Sequence, residues 1–168
     1  AIDRALPFSK HGDRTVGCVV ANCLTEGGKE KLVVVDLKVF PTGVAEEIRA
    51  WLMQTANKYP LSCVVLETYQ AYDLYAWCKQ RNLPAKLEHA TREAQLAAFP
   101  ALIMAFERGD IIIPRHELLI EELLALERTN AGKFRAGQGK HDDTVFALLW
   151  AVYEAVKFSP SRADITII

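Results

Sequence analysis

The stretch LSCVVLETYQAYDLYAWCKQRNLPAKLEHA, residues 61–90, decides the fold. Its opening, LSCVVLE (61–67), is a continuous apolar run without alternation, which marks a strand covered on both faces. AYDLYAWCKQRN then reads as a helix, and a short strand is expected around AKLEHA. Strand and helix in alternation argue an α/β domain. Upstream, TVGCVVANC (15–23) and KLVVVDLKVF (31–40) are β-branched runs separated by LTEGGKE, whose Gly-Gly marks a hairpin. The chain therefore opens with antiparallel strands, and AID (1–3) is expected to be the end of a strand that begins upstream. Between these runs and residue 61, Val44, Ile48, Trp51 and Leu52 recur at helical spacing, with Pro60 after the helix end.

Downstream the pattern stays mostly helical. TREAQLAAFPALIMAFERGD (91–110) begins with an imperfect capping box at Thr91, and Pro100 predicts a kink or break. IIIP (111–114) is a short extended segment, and HELLIEELLALERT (116–129) is an amphipathic helix with Leu119, Leu123 and Leu126 on one stripe. NAGKFRAGQGK (130–140), the one Gly-rich loop, leads into GKHDDTVFALLWAVYEAV (139–156), a long apolar helix headed by two aspartates. No internal repeat, low-complexity tract or linker interrupts the chain. With 168 residues, 51% of them hydrophobic, one domain is the natural count.

Bulk charge excludes a strongly basic nucleic-acid-binding domain: 20 basic residues meet 21 acidic ones, so a polyanion would have to be met by a local patch. Cys18, Cys23, Cys63 and Cys78 form no CxxC pair and read as reduced core thiols. No apolar run approaches the ~20 residues of a membrane span, and no signal-peptide pattern opens the sequence. A soluble, reducing, intracellular setting is expected, with no secretion and no membrane partner.

The informative carboxylates follow or precede apolar runs. Asp3 ends AID, Glu67 ends CVVL, and Asp142 with Asp143 opens the last helix. An acid just past a buried strand sits at a sheet edge, where the strand fixes its position. Converging carboxylates suit metal-assisted phosphodiester hydrolysis, because Mg²⁺ and Mn²⁺ prefer carboxylate oxygen and relieve the acids' mutual repulsion. Two ions roughly 4 Å apart activate the attacking water and stabilise the departing oxygen. Neither a nucleophile elbow nor a Ser/His/Asp pattern is present among His11, His89, His116 and His141 and their surroundings. Each acid also has a plainer reading. Asp142 and Asp143 would cap the helix and favour its positive end; Glu67 and Asp3 would be solvated acids at a strand exit and a chain end.

Taken together, AIDRA with GDRTVGCVV, then CVVLETYQAY, then GKHDDTVFALLWAV, in that order, resemble the nuclease domain of the large terminase subunit of tailed bacteriophages, a ribonuclease H-like family. The resemblance spans almost the whole chain and implies a central five-stranded mixed sheet, order 3-2-1-4-5, its first three strands antiparallel, with helices on both faces. It implies Asp3, Glu67, Asp142 and Asp143 as the metal-binding and catalytic acids of a two-ion Mg²⁺ or Mn²⁺ endonuclease. Asp3 would bridge both ions, Glu67 would hold one, and Asp142 or Asp143 the other. His141 would orient an acid or touch a phosphate, and Asp13 would be an accessory acid. Lys133, Arg135 and Lys140, in a loop whose glycines allow close approach, and Arg14 near the first acid are the expected DNA contacts. Tyr69, Tyr72 and Tyr75 are read as helix packing or as stacking platforms for bases.

The implied activity is cleavage of double-stranded DNA with little sequence preference, cutting concatemers for viral genome packaging in the host cytoplasm. The implied partners are a terminase ATPase domain, the small subunit and a portal. The sequence holds no G-x-x-x-x-G-K-[ST]; in AGQGKHDD, His141 stands where Ser or Thr would hold Mg²⁺. Residues 1–168 are thus expected to be a single nuclease domain without the motor. Two other readings remain open: a Holliday-junction resolvase of the same superfamily, and an inactive ribonuclease H-like docking module.

Overall fold

The computed structural model describes residues 1–5, 14–68, 71–129 and 132–158. A hairpin forms first. β2 (Thr15–Leu24) and β3 (Glu30–Phe40) pair antiparallel along their whole length, with a bulge between Val19 and Val20. Their turn closes with the Gly28 amide on the Thr25 carbonyl at 2.8 Å, and Gly28 sits at φ +74°, a conformation that costs a side-chain-bearing residue energy. β1 (Ile2–Asp3) pairs antiparallel with β2 and parallel with β4 (Val64–Glu67), and β4 pairs parallel with β5 (Ala85–Glu88).

The sheet order is β5-β4-β1-β2-β3-β6, so the expected order 3-2-1-4-5 holds and is extended by one strand. The sheet has six strands rather than five, because β6 (Ile111–Ile112) adds in parallel to the outer edge of β3. Lys31 pins that addition: its ammonium bonds the Gly109 carbonyl at 2.6 Å and the Asp110 carboxylate at 3.0 Å. The extra strand covers an edge that would otherwise present unpaired backbone.

Helices cover both faces. On one side α1 (Ala45–Lys58) and α2 (Tyr72–Gln80) bury Ile48, Trp51, Leu52, Leu74 and Cys78 against Ile2, Val64, Leu66 and Phe40. On the other, α3 (Arg92–Glu107), α4 (Glu117–Ala125) and α5 (Asp143–Lys157) enclose Val16, Cys18, Leu32, Val34 and Val65. β4 contributes to both layers, as its unalternating apolar run requires. From Thr144 to Val152 every residue of α5 is buried, so this helix is the centre of its layer. The four cysteines are free thiols, and burial pushes Cys18 up to about 12 and Cys78 up to about 11, which keeps both protonated. Among the described residues no helix is long and apolar enough to cross a membrane.

Two local expectations change. α3 runs through Pro100 without a break, because Pro removes one amide donor while the rest of the helix is held by Phe99, Leu102 and Ala105 in the core; Thr91 does cap it, its hydroxyl accepting from the Ala94 amide at 3.2 Å. The helix expected over residues 116–129 ends at Ala125. Leu126–Arg128 instead forms β7, paired antiparallel with β8 (Phe134–Ala136), a short strand inside the expected Gly-rich loop. The hairpin is held to α3, where the Phe134 ring stacks on Phe99 at 4.0 Å between centroids. Pairing with β8 and that contact override the high helix propensity of ALER.

Gly17, next to the site-bearing strand, is fixed by packing. A Cβ there would lie 2.5 and 2.6 Å from Trp51 ring atoms. The ring has little room to withdraw, since its indole N–H donates to Asp36 at 2.9 Å and it forms a T-shaped pair with Phe40, 5.7 Å between centroids. Gly17→Ala is expected to cost about 1–3 kcal/mol, a drop of roughly 2–4 °C in melting temperature for each kcal/mol. A variant that melts with the parent would show that the indole yields freely.

Candidate functional site

The strand register brings two of the expected acids side by side. Ile2 pairs in parallel with Leu66, and both side chains lie in the α1/α2 layer. Side chains alternate along a strand, so the next residues, Asp3 and Glu67, face the opposite layer. Their neighbours agree: Val65, two before Glu67, and Val16, opposite Asp3, both pack in the α5 layer. Asp3 and Glu67 therefore emerge from adjacent strand ends toward the start of α5.

That start carries the second pair. Asp142 occupies the N-cap position of α5, yet its carboxylate makes no capping bond. It accepts instead from the Ala136 amide at 2.6 Å, which ties the helix start to the β7–β8 hairpin. Simple capping thus does not account for Asp142. Asp143, the first helical residue, accepts from the Arg14 backbone amide at 3.2 Å, and the His141 Nδ1 lies 3.9 Å from the same oxygen. Both acids stand where the helix dipole favours negative charge.

Glu67 links strand and helix. The indole N–H of the buried Trp150 donates to it at 3.3 Å. Burial pushes the Glu67 carboxyl above the usual glutamate value; the indole bond works against that, and the negative charge of Asp142 adds to it. A carboxylate that is desolvated and faces another acid suits a divalent cation, which replaces lost hydration with direct coordination by hard oxygen donors. The donor set fits such an ion in chemistry and neighbourhood. Among the described residues, no three His, Cys, Asp or Glu side chains are drawn together tightly enough to enclose one. Glu67, Asp142 and Asp143 are each turned onto a protein N–H donor.

Below the acids lies a residue that sequence reasoning missed. Glu122 of α4 is only 3% exposed, and it accepts from both the amide and the hydroxyl of Thr144, at 2.7 and 2.5 Å. Its other oxygen pairs with the Arg14 guanidinium at 3.1 Å. The signal was present, since Glu122 lies three residues from Leu119 and four from Leu126, on the apolar stripe of its helix. An acid on an apolar face is rarely unpaired.

The expected cations divide. Lys133, Arg135 and Lys140 are exposed on the hairpin and the turn that follows it. Arg14 has its guanidinium on Glu122 and its amide on Asp143, a different employment from a phosphate contact. Arg4, beside Asp3, forms an ion pair with Asp73. Tyr72 is 62% exposed near the start of α2, and Tyr75 is half-buried under the Lys79 ammonium. Asp13, Lys10, His11 and Tyr69 lie outside the described residues.

No protein-family model matches the chain, and no curated protein matches its sequence. Solved structures do match its fold. The large terminase nuclease of thermophilic phage G20c with bound magnesium superposes with a TM-score of 0.60 at 19% identity, covering 89% of this chain and 91% of that one. The same nuclease with bound zinc gives 0.55 at 16% identity, covering 88% and 91%. The large terminase of bacteriophage HK97 gives 0.62 at 9% identity, covering 92% of this chain but 44% of the longer one. The chain has the ribonuclease H-like α/β fold of phage large terminase nucleases.

Proposed function

We propose that the chain is a divalent-metal-dependent endonuclease of the terminase type, which cuts double-stranded DNA with little sequence preference during genome packaging. The observation that carries this reading is the register that sets Asp3 and Glu67 at adjacent strand ends, with Glu67 close enough to Asp142 at the start of α5 to feel its charge. The fold shared with magnesium- and zinc-bound terminase nucleases supports it. Asp3 and Glu67, with Asp142 or Asp143, would hold two Mg²⁺ or Mn²⁺ ions. Such ions supply Lewis acidity to the phosphate and lower the pKa of a bound water.

The chain's own residues do the rest. Trp150 holds the Glu67 carboxylate through its indole N–H, so an acid from the sheet and an acid from the helix share one frame. His141, half-buried beside Asp143, orients that acid. Lys133, Arg135 and Lys140 line the approach and take phosphate oxygens; their chain neighbour Ala136 touches Asp142, so a strand bound there lies next to the acids. The partners of this reading are double-stranded DNA, a terminase ATPase domain, a small terminase subunit and a portal, within the host cytoplasm.

Supercoiled plasmid incubated with the protein and millimolar Mn²⁺ or Mg²⁺ is expected to be nicked and linearised. Asp3→Asn is expected to lose that activity while melting near the parent, because Asn keeps the side chain's size. Absence of cleavage by the parent with either metal, or full activity in Asp3→Asn, overturns the reading. A four-way junction cut symmetrically in preference to plasmid would move the assignment to a resolvase.

A further inference from the structure

We infer that Glu122 is a positioning residue of the nuclease site, which sets Asp143 by holding the groups on either side of it. This inference rests on the proposed function, and it assigns a role to a residue from a helix that contributes none of the acids.

The geometry is specific. One oxygen of the Glu122 carboxylate takes both donors of Thr144, the residue that follows Asp143 in the chain. The other oxygen takes the guanidinium of Arg14, whose backbone amide reaches the Asp143 carboxylate from across the fold. A single buried carboxylate thus fastens the covalent neighbour of Asp143 and its spatial neighbour together. Thr144 has one of the first amides of α5, which no helical carbonyl can satisfy, so Glu122 supplies from a distance the bond that a local cap would give. Asp142, which occupies the cap position, is left to turn its side chain toward Ala136 and Glu67.

The demand on Glu122 is strict because all three donors need an acceptor. A glutamine of the same shape has one carbonyl oxygen and one NH₂ group. In either orientation the NH₂ meets a donor, the Thr144 amide or the Arg14 guanidinium, and one contact is lost. Glu122→Gln therefore loosens one side of Asp143 while leaving the core volume unchanged.

The test compares the parent, Glu122→Gln, Thr144→Val and, as a control, Glu121→Gln, which alters an exposed acid on the same helix. Mn²⁺ affinity is read by titration followed by electron paramagnetic resonance, and plasmid cleavage is resolved into kcat and KM. Glu122→Gln is expected to weaken Mn²⁺ binding and to lower kcat by roughly 10–100-fold each, with KM for DNA unchanged. Thr144→Val, which keeps the Thr144 amide bond and the Arg14 pair, is expected to show a smaller loss in the same direction; Glu121→Gln should match the parent. Parental Mn²⁺ affinity and kcat in a folded Glu122→Gln overturn the inference, as does a loss confined to KM.

If the parent itself neither binds Mn²⁺ nor cuts DNA, the function reading has failed, and Glu122 is judged by amide hydrogen exchange without metal. Faster exchange at Arg14 and Thr144 in Glu122→Gln, relative to the parent, supports the positioning role. Unchanged exchange at both overturns it. Should Glu122→Gln fail to fold, Thr144→Val carries the same comparison.

Discussion

Glu67→Gln is expected to abolish metal-dependent cleavage and, in metal-free buffer, to raise the melting temperature. The loss of activity should be on the order of 10³-fold or more, because an uncharged amide is a poor ligand for a hard divalent cation. The gain in stability follows from the direction of the Glu67 pKa. Burial and the charge of Asp142 hold its carboxyl above the ordinary glutamate value, against the pull of the Trp150 indole. The native state therefore binds the Glu67 proton more tightly than the unfolded chain does. Stability falls as pH rises from the ordinary glutamate value through the raised one, as the cost of the buried charge is incurred. Glutamine removes that cost and can still accept the indole N–H. Melting curves in chelator, followed upward from about pH 4, near the ordinary glutamate value of ~4.3, should show the parent losing stability relative to Glu67→Gln as pH rises. Parallel curves at all pH values would show that Glu67 ionises in the native state as freely as in water.

Metal should reverse the order of stability. An ion that binds only the folded site at about 100 times its Kd stabilises by about 2.7 kcal/mol, which corresponds to roughly 5–10 °C for a domain of this size. Mn²⁺ at millimolar concentration is expected to raise the melting temperature of the parent by that amount and of Glu67→Gln by much less. The two effects have a common cause: the lost hydration of Glu67, and its repulsion by Asp142, are what a bound cation would offset. A parent whose melting point ignores Mn²⁺, measured alongside Ca²⁺ to separate site binding from general screening, would falsify the assignment of these acids as metal ligands.

Much of this architecture was legible in local sequence. The unalternating VVLE had to be a strand with helices on both sides, and Val64, Val65 and Leu66 fill both cores. The Gly-Gly turn predicted the first hairpin, and the order 3-2-1-4-5 came from the family resemblance. What escaped depended on partners remote in sequence. β6 is two residues long and exists because the edge of β3 and Lys31 receive it. β7 carries helix-forming residues and became a strand because β8 and Phe99 lie beside it. At the site, strand ends and a helix start could be named from pattern, but the direction of each carboxylate could not. Asp142 read as a helix cap, and only the folded chain reveals that the Ala136 amide claims it while Glu122 serves the helix instead. Arg14 reads as a DNA contact because nothing nearby in sequence announces a carboxylate 108 positions away.

The burial of α5 bears on the order in which the protein comes into being. This helix is the last of the described elements, yet it packs on β1, β2, β3 and β4 and on α3 and α4. During synthesis the sheet emerges first, with one face bare, and the apolar layer closes only when Val145 to Val152 arrive. Because non-local contacts of this kind are slow to form, a growing chain spends its longest exposed interval without that helix. The same helix delivers Asp142 and Asp143. An unfinished chain therefore lacks two of the four candidate ligand acids at the very stage when it lacks that apolar layer, so the candidate site and the folded core are completed in one step.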